Sequence, residues 1–152
     1  MDRYTYEREA LAAGYGLVCG CDEAGDLVCQ LDLSLDAAAV ILPLGLDVPG
    51  LDDSKKLTAK KRESLFPFIQ EQALACAVAW VDAAEIDATD ILSARMRAMQ
   101  LAIDGLPVHP DFALIDGNRD RGRTSSITVP HRCIVKGDSL SASVAAASVL
   151  AK

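Results

Sequence analysis

The sequence predicts an α/β fold built on a mixed sheet. Two observations predict it. Three consecutive strand-like segments occupy the first 42 residues, and beyond them helix-period and strand-period segments alternate. Antiparallel strands can follow one another through short connections, whereas parallel strands need a long crossover, usually a helix. The sheet is therefore expected to be antiparallel at first and parallel later. The chain has 152 residues, 51% of them hydrophobic and 24% charged. That is the length of a single domain over 1–152, able to bury a core without a disulfide or metal staple.

The elements follow in order. Leu17-Val18-Cys19-Gly20-Cys21 is an apolar run ending in Asp22-Glu23, and it reads as a buried strand. Residues 27–35 alternate, with Leu31, Leu33 and Leu35 on one face and Asp32, Ser34 and Asp36 opposite, the pattern of a half-buried strand. Ala37 to Leu42 is a third strand, stopped by Pro43 and followed by a loop with Gly45, Pro49 and Gly50. Thr58 suits the N-cap of a helix running to about Ala75. Pro67 lies inside it, where it is expected to kink or split the helix at a cost of about 3 kcal/mol.

Cys76 to Val81 reads as a strand. Asp90 to Asp104 reads as a helix, with Leu92, Met96, Met99 and Ile103 on one face as core filler. Phe112 to Ile115 is a strand that ends in Asp116-Gly117-Asn118, and Ile127 to Val135 is another. From Ser139 onward a helix of small residues can pack close to a sheet. It reaches Lys152 with neither a glycine cap nor a proline stop, so the chain is expected to be cut in mid-element.

Several function classes do poorly. No stretch of about 18 apolar residues exists, so no membrane span is expected. The charged N-terminus, Met1 to Glu9, lacks the apolar core of a secretory leader. The five cysteines (Cys19, Cys21, Cys29, Cys76, Cys133) are odd in number, which suits a reducing cytoplasmic location. Cys19 and Cys21 could share a strand face, but zinc needs three or four ligands, and His109 and His131 are badly spaced. Those thiols read as buried small hydrophobes. Gly45 and Gly50 have phosphate-loop spacing, yet Leu51-Asp52 follows in place of Gly-Lys. Gly137-Asp138-Ser139-Leu140-Ser141 lacks the last glycine of a nucleophile elbow.

The acids carry more. Asp22-Glu23, Asp116 and Asp138 each follow a predicted strand, and sites in open α/β sheets form outside the carboxyl ends of strands. Carboxylates gathered there repel one another unless cations sit between them. Hard oxygen ligands in that number suit Mg²⁺ or Mn²⁺, and two such ions form the apparatus for phosphodiester hydrolysis. A single Asp at a strand end is also a common turn former, and Asp138 could merely cap the next helix. On these residues alone both readings stay open. Adjacent strand residues point to opposite faces, so Asp22 and Glu23 serve one site only if the chain bends, which Gly25 permits.

Four blocks occur in a fixed order: Cys21-Asp22-Glu23-Ala24-Gly25, Leu51-Asp52-Asp53-Ser54-Lys55-Lys56-Leu57, Leu114-Ile115-Asp116-Gly117-Asn118, and Val135-Lys136-Gly137-Asp138-Ser139 running into Ala145 to Lys152. Together they resemble bacterial ribonuclease HII over residues 17–25 and 37–152. The resemblance implies an RNase H-like mixed sheet flanked by helices. It implies Mg²⁺- or Mn²⁺-dependent cleavage of RNA in RNA–DNA hybrids and at single ribonucleotides embedded in duplex DNA. The products would carry 3′-hydroxyl and 5′-phosphate ends. Matched residue by residue, Asp22, Glu23, Asp116 and Asp138 would be the catalytic metal ligands of a two-metal site. Ser54, Lys55 and Lys56 would contact phosphate. Gly25, Asn118 and Lys136 would be further substrate contacts. A monomer is expected, with no membrane partner.

Two departures from the family pattern matter. After Gly25 the family continues Arg-Gly-Pro, whereas this chain reads Asp26-Leu27-Val28. An acid thus stands where the family places an arginine that belongs to the turn reading the 2′-hydroxyl. Family members also continue past Ala151-Lys152 with helices that carry a stacking tyrosine and basic residues, so the family's C-terminal part is expected to be missing. A chain that keeps the four acids but cleaves weakly or not at all is therefore expected. The rival readings are an RNase H-like nuclease without junction specificity and a non-catalytic remnant that binds nucleic acid or a protein.

Fifteen Lys and Arg against 22 Asp and Glu give a net charge of −7, which by itself argues against a phosphate partner. Distribution weakens that inference. Five of the basic residues fall within 55–62 and five within 119–136, each group flanking a matched block.

Overall fold

A computed structural model of the chain describes residues 4–24, 35–43, 59–81, 91–116, 129–134 and 141–151. Among these, nine elements follow one another: α1 (Thr5–Ala12), β1 (Val18–Ala24), β2 (Leu35–Ile41), α2 (Ala59–Gln72), β3 (Ala75–Val81), α3 (Ile91–Asp104), β4 (Phe112–Asp116), β5 (His131–Ile134) and α4 (Ala142–Ala151). The strands form one sheet in the order β3-β2-β1-β4-β5. β1 pairs antiparallel with β2, and β2 antiparallel with β3. β1 pairs parallel with β4, and β4 parallel with β5. This is the expected mixed sheet, antiparallel and then parallel, flanked by helices, with β3, which follows α2, as an antiparallel strand.

Alternation along the strands divides the core between two faces. Cys19 and Cys21 of β1, Ala37 and Ala39 of β2, and Ala113 and Ile115 of β4 face α3, where they meet Met96, Met99, Ala102 and Ile103. Ala38, Val40 and Leu42 face the other way, onto Leu65 and Ile69 of α2 and Ala146, Val149 and Leu150 of α4. Val18, Leu114 and Ile134 meet Val144 and Ala10 on that same side. Every residue of α4 is buried. Its small side chains, facing Ala38 of β2 and Gly20 of β1, allow this helix to lie close on the sheet.

The parallel register of β1 and β4 is set at their starts. Leu17 accepts backbone hydrogen bonds from Asp111 N (2.8 Å) and Phe112 N (3.2 Å). The Asp111 carboxylate in return accepts from Gly16 N (2.9 Å) and Leu17 N (3.2 Å). Five backbone groups at the start of the ladder, four donors and one acceptor, are thereby satisfied.

Three details differ from the sequence reading. α1 was not expected. It carries no side-chain cap at Tyr4, but it ends in a Schellman arrangement. Gly14 N donates to Leu11 O (3.0 Å) and Tyr15 N to Ala10 O (3.2 Å), with Gly14 at φ 106°. Pro67 does not split α2, which runs as one helix from Ala59 to Gln72. The missing bond is tolerated because Leu65 and Ile69, on either side of the proline, are both anchored in the core. The helix stops short of Ala75, which opens β3 instead. The strand expected at 27–35 lies outside the described residues except for Leu35, the first residue of β2.

Candidate metal centre at the strand ends

β1 and β4 lie side by side and run in the same direction. Their last described pair is Cys21 with Ile115. One step further along each strand come Asp22 and Asp116, so the two acids occupy adjacent positions at the carboxyl ends of neighbouring parallel strands. Asp116 is the last residue of β4 and pairs with Ile134 of β5. The sheet thus places these two residues where open α/β sheets form their sites.

Asp22 is only 4% exposed. It follows Gly20 on the face that carries α4, because the α4 backbone at Ser143 lies directly against Gly20. A carboxylate at that depth is costly unless it is compensated. Glu23 continues the ladder opposite Ala37, and Ala24 opposite Asp36, so β1 stays in register through both acids. The bend expected at Gly25 lies outside the described residues, as do Asp138, Ser54, Lys55, Lys56, Asn118 and Lys136. Among the described residues, no group of three or more His, Cys, Asp or Glu is gathered.

The opposite face of β1 is a thiol layer. Cys19 and Cys21 are fully buried, with their sulfurs 3.8 Å apart in a weak hydrogen bond. That bond holds the Cys21 thiol well above its usual pKa, burial adds to the effect, and electrostatic interaction with Cys19 and Asp22 raises it further. Cys21 is thus held protonated, unlike a metal-bound thiolate. The pair packs as two small hydrophobes in the α3 core.

The basic groups divide. Lys60 and Lys61, in the first turn of α2, are exposed. Arg132 of β5 is committed elsewhere. It pairs with Glu9 of α1 at 2.7 Å and lies over the Tyr6 ring, 4.6 Å from the centroid. The footprint expected over 119–136 loses this arginine to a clasp between α1 and the sheet. Glu7 is also missing from the sequence reading. It reaches from α1 to the N-terminus of α4, where it accepts from Ser141 Oγ (2.8 Å) and Ser143 N (3.1 Å). The signal that could have found it was Gly14, a helix stop following a segment that begins near Thr5.

The ribonuclease HII family model matches residues 19–152. The chain belongs to the ribonuclease HII family. The ribonuclease HII of Syntrophus aciditrophicus (strain SB) is 46% identical over 147 residues, which cover 97% of this chain and 66% of that one. The chain spans 54–69% of the length of the curated ribonuclease HII relatives it matches. The fold is shared with the crystal structure of ribonuclease H2 from Pyrococcus horikoshii OT3, at a TM-score of 0.72 and 24% identity over 90% of this chain and 70% of that one. It is shared as well with Bst-RNase HIII in complex with Mn²⁺, at a TM-score of 0.65 and 23% identity over 89% of this chain and 50% of that one. The mixed sheet of this ribonuclease HII family member is thus that of RNase H-like proteins.

Proposed function

We propose that this chain, as a single catalytic domain, is a divalent-metal-dependent endoribonuclease. It hydrolyses the RNA strand of RNA–DNA hybrids and cuts at single ribonucleotides in duplex DNA, leaving 3′-hydroxyl and 5′-phosphate ends. The observation that carries this reading is the buried Asp22, side by side with position 116 at the ends of two parallel strands. Neighbouring strands lie about 4.8 Å apart. Two carboxylate residues at that spacing repel unless a cation lies between them.

In this reading Asp22, Glu23, Asp116 and Asp138 hold Mg²⁺ or Mn²⁺. The donor set fits: all four are carboxylates, the hard ligands those ions prefer. The fold's likeness to a Mn²⁺-bound RNase HIII supports it. Metal bound there would supply a nucleophilic water and stabilise the leaving 3′-oxygen, in a two-metal arrangement. The protein's own residues supply position. The β1–β4 ladder fixes Asp22 and Asp116 relative to each other. Ser54, Lys55 and Lys56 grip phosphate, helped by Lys60 and Lys61 at the start of α2, and Gly25, Asn118 and Lys136 line the substrate.

Asp26 stands where the family places the arginine of its junction-reading turn. Recognition of the RNA–DNA junction is accordingly weakened, and binding is strongly salt-sensitive. The protein acts as a cytoplasmic monomer. The described cysteines are all free thiols, which suits a reducing compartment. No helix among the described residues is long and apolar enough to cross a membrane.

The test is a cleavage assay with Mn²⁺ on three duplexes: an RNA–DNA hybrid, DNA with one embedded ribonucleotide, and DNA alone. The expected result is slow, metal-dependent cleavage of the first two, abolished by Asp116→Asn. Cleavage of plain DNA at the same rate would favour a nuclease without ribonucleotide specificity. Absence of metal-dependent turnover on any substrate would overturn the proposal in favour of a binding remnant.

A further inference from the structure

Glu7 is acidic, lies on a helix of eight residues and is only 4% exposed. Its Oε2 accepts two hydrogen bonds from the start of α4, one from the Ser141 hydroxyl (2.8 Å) and one from the Ser143 amide (3.1 Å). Ser141 Oγ in turn accepts from Val144 N (3.3 Å). The first amides of a helix have no partner within it. Here a carboxylate from 134 residues earlier satisfies one of them and fixes the serine that satisfies another. Glu7 Oε1 is buried and has no partner among the described residues. A carboxylate left half-satisfied in an interior is expensive, and the positive end of the α4 dipole is what offsets it here. A helix cap alone needs only the serine. The extra buried charge, drawn from another element, therefore does more than cap.

What it does follows from where that turn of α4 sits. Ser143 is the residue whose backbone presses on Gly20, two positions before Asp22. Asp138 lies three positions before Ser141 in the chain. We propose that Glu7 is a positioning residue for the metal centre: by clamping Ser141 and Ser143 it sets the first turn of α4 against β1 at Gly20, and with it the position of Asp22 on the same face of that strand. The inference rests on the reading of Asp22 and Asp138 as metal ligands. Outer groups that orient metal ligands typically change metal affinity by about 10- to 100-fold when removed.

The experiment compares the wild type with Glu7→Ala, Glu7→Gln, Ser141→Ala and Asp138→Asn. It uses two readouts: amide hydrogen exchange at Ser143 and Val144 in metal-free protein, and Mn²⁺ affinity by titration. Glu7→Ala is expected to speed exchange at both amides and weaken Mn²⁺ binding about 10-fold. Glu7→Gln keeps an acceptor of the same shape and should restore most of both. Ser141→Ala removes one arm of the clamp and should move both readouts in the same direction by a smaller amount, which keeps the test open if Glu7→Ala does not fold. Faster exchange with unchanged Mn²⁺ affinity in Glu7→Ala and Ser141→Ala, beside weakened binding in Asp138→Asn, would reduce Glu7 to a helix cap and overturn the positioning role alone. Wild-type Mn²⁺ affinity in Asp138→Asn would overturn the ligand reading on which that role depends.

Discussion

Gly20 and Ser143 touch backbone to backbone. A Cβ placed on Gly20 would lie 2.3 Å from the Ser143 carbonyl carbon and 2.4 Å from Val144 N. Neither atom belongs to a flexible side chain, so the helix or the strand would have to move. Gly20→Ala is therefore expected to destabilise the protein by about 1–3 kcal/mol or more, although Gly→Ala in a strand-compatible conformation is ordinarily neutral or helpful. Urea unfolding measures it. An unchanged midpoint would show that α4 does not sit on β1 as described.

Asp22→Asn separates charge from shape. The amide is isosteric but a poor ligand for a hard cation. Mn²⁺-supported cleavage is expected to fall by about 100-fold or more, which corresponds to about 2.7 kcal/mol of barrier. Cleavage within a few-fold of wild type would remove Asp22 from the site.

The basic residues should sort by salt dependence. Lys55→Ala and Lys56→Ala are each expected to reduce the slope of log affinity against log salt by about 1. Arg132→Ala should leave that slope unchanged, because its guanidinium is committed to Glu9 and Tyr6. Its cost is expected in stability instead, at no more than about 1 kcal/mol, since the pair is half-exposed. A slope change for Arg132→Ala would return this residue to the phosphate footprint.

The buried thiol predicts a direction with pH. The Cys21 pKa is raised in the folded protein above its ordinary value of 9.0, chiefly by the hydrogen bond with Cys19 and by burial. The folded state therefore keeps a proton that the unfolded chain releases. This contribution is fully present below about pH 9 and declines above it. Cys21→Ala should flatten that alkaline decline in a stability–pH series. An equally steep decline in the variant would assign it to other groups.

Much of this protein was legible from residue order. The apolar run into Asp22-Glu23, the run into Asp116 and the alanine-rich last helix all lie where the patterns place them, because burial on a sheet imposes a strong local signal. α1 was not legible. It is short and lacks a side-chain cap, so little in the local sequence announces it. Its reason to exist is tertiary: Glu7 binds the start of α4, and Glu9 binds Arg132. Pro67 misled in the other direction, since anchoring by Leu65 and Ile69 outweighs one lost hydrogen bond.

By itself, then, the sequence determined the α/β class and most of the elements through local periodicity, and its ordered motif blocks pointed to the family. Tertiary structure decided which strands become neighbours. Only the order β3-β2-β1-β4-β5 sets Asp22 beside Asp116, although 93 residues separate them in the chain. Only packing shows that Glu7 joins α1 to α4 and that Arg132 joins α1 to the sheet. Strand pairing and long-range hydrogen bonds join residues far apart in sequence, and no local pattern encodes such a partner.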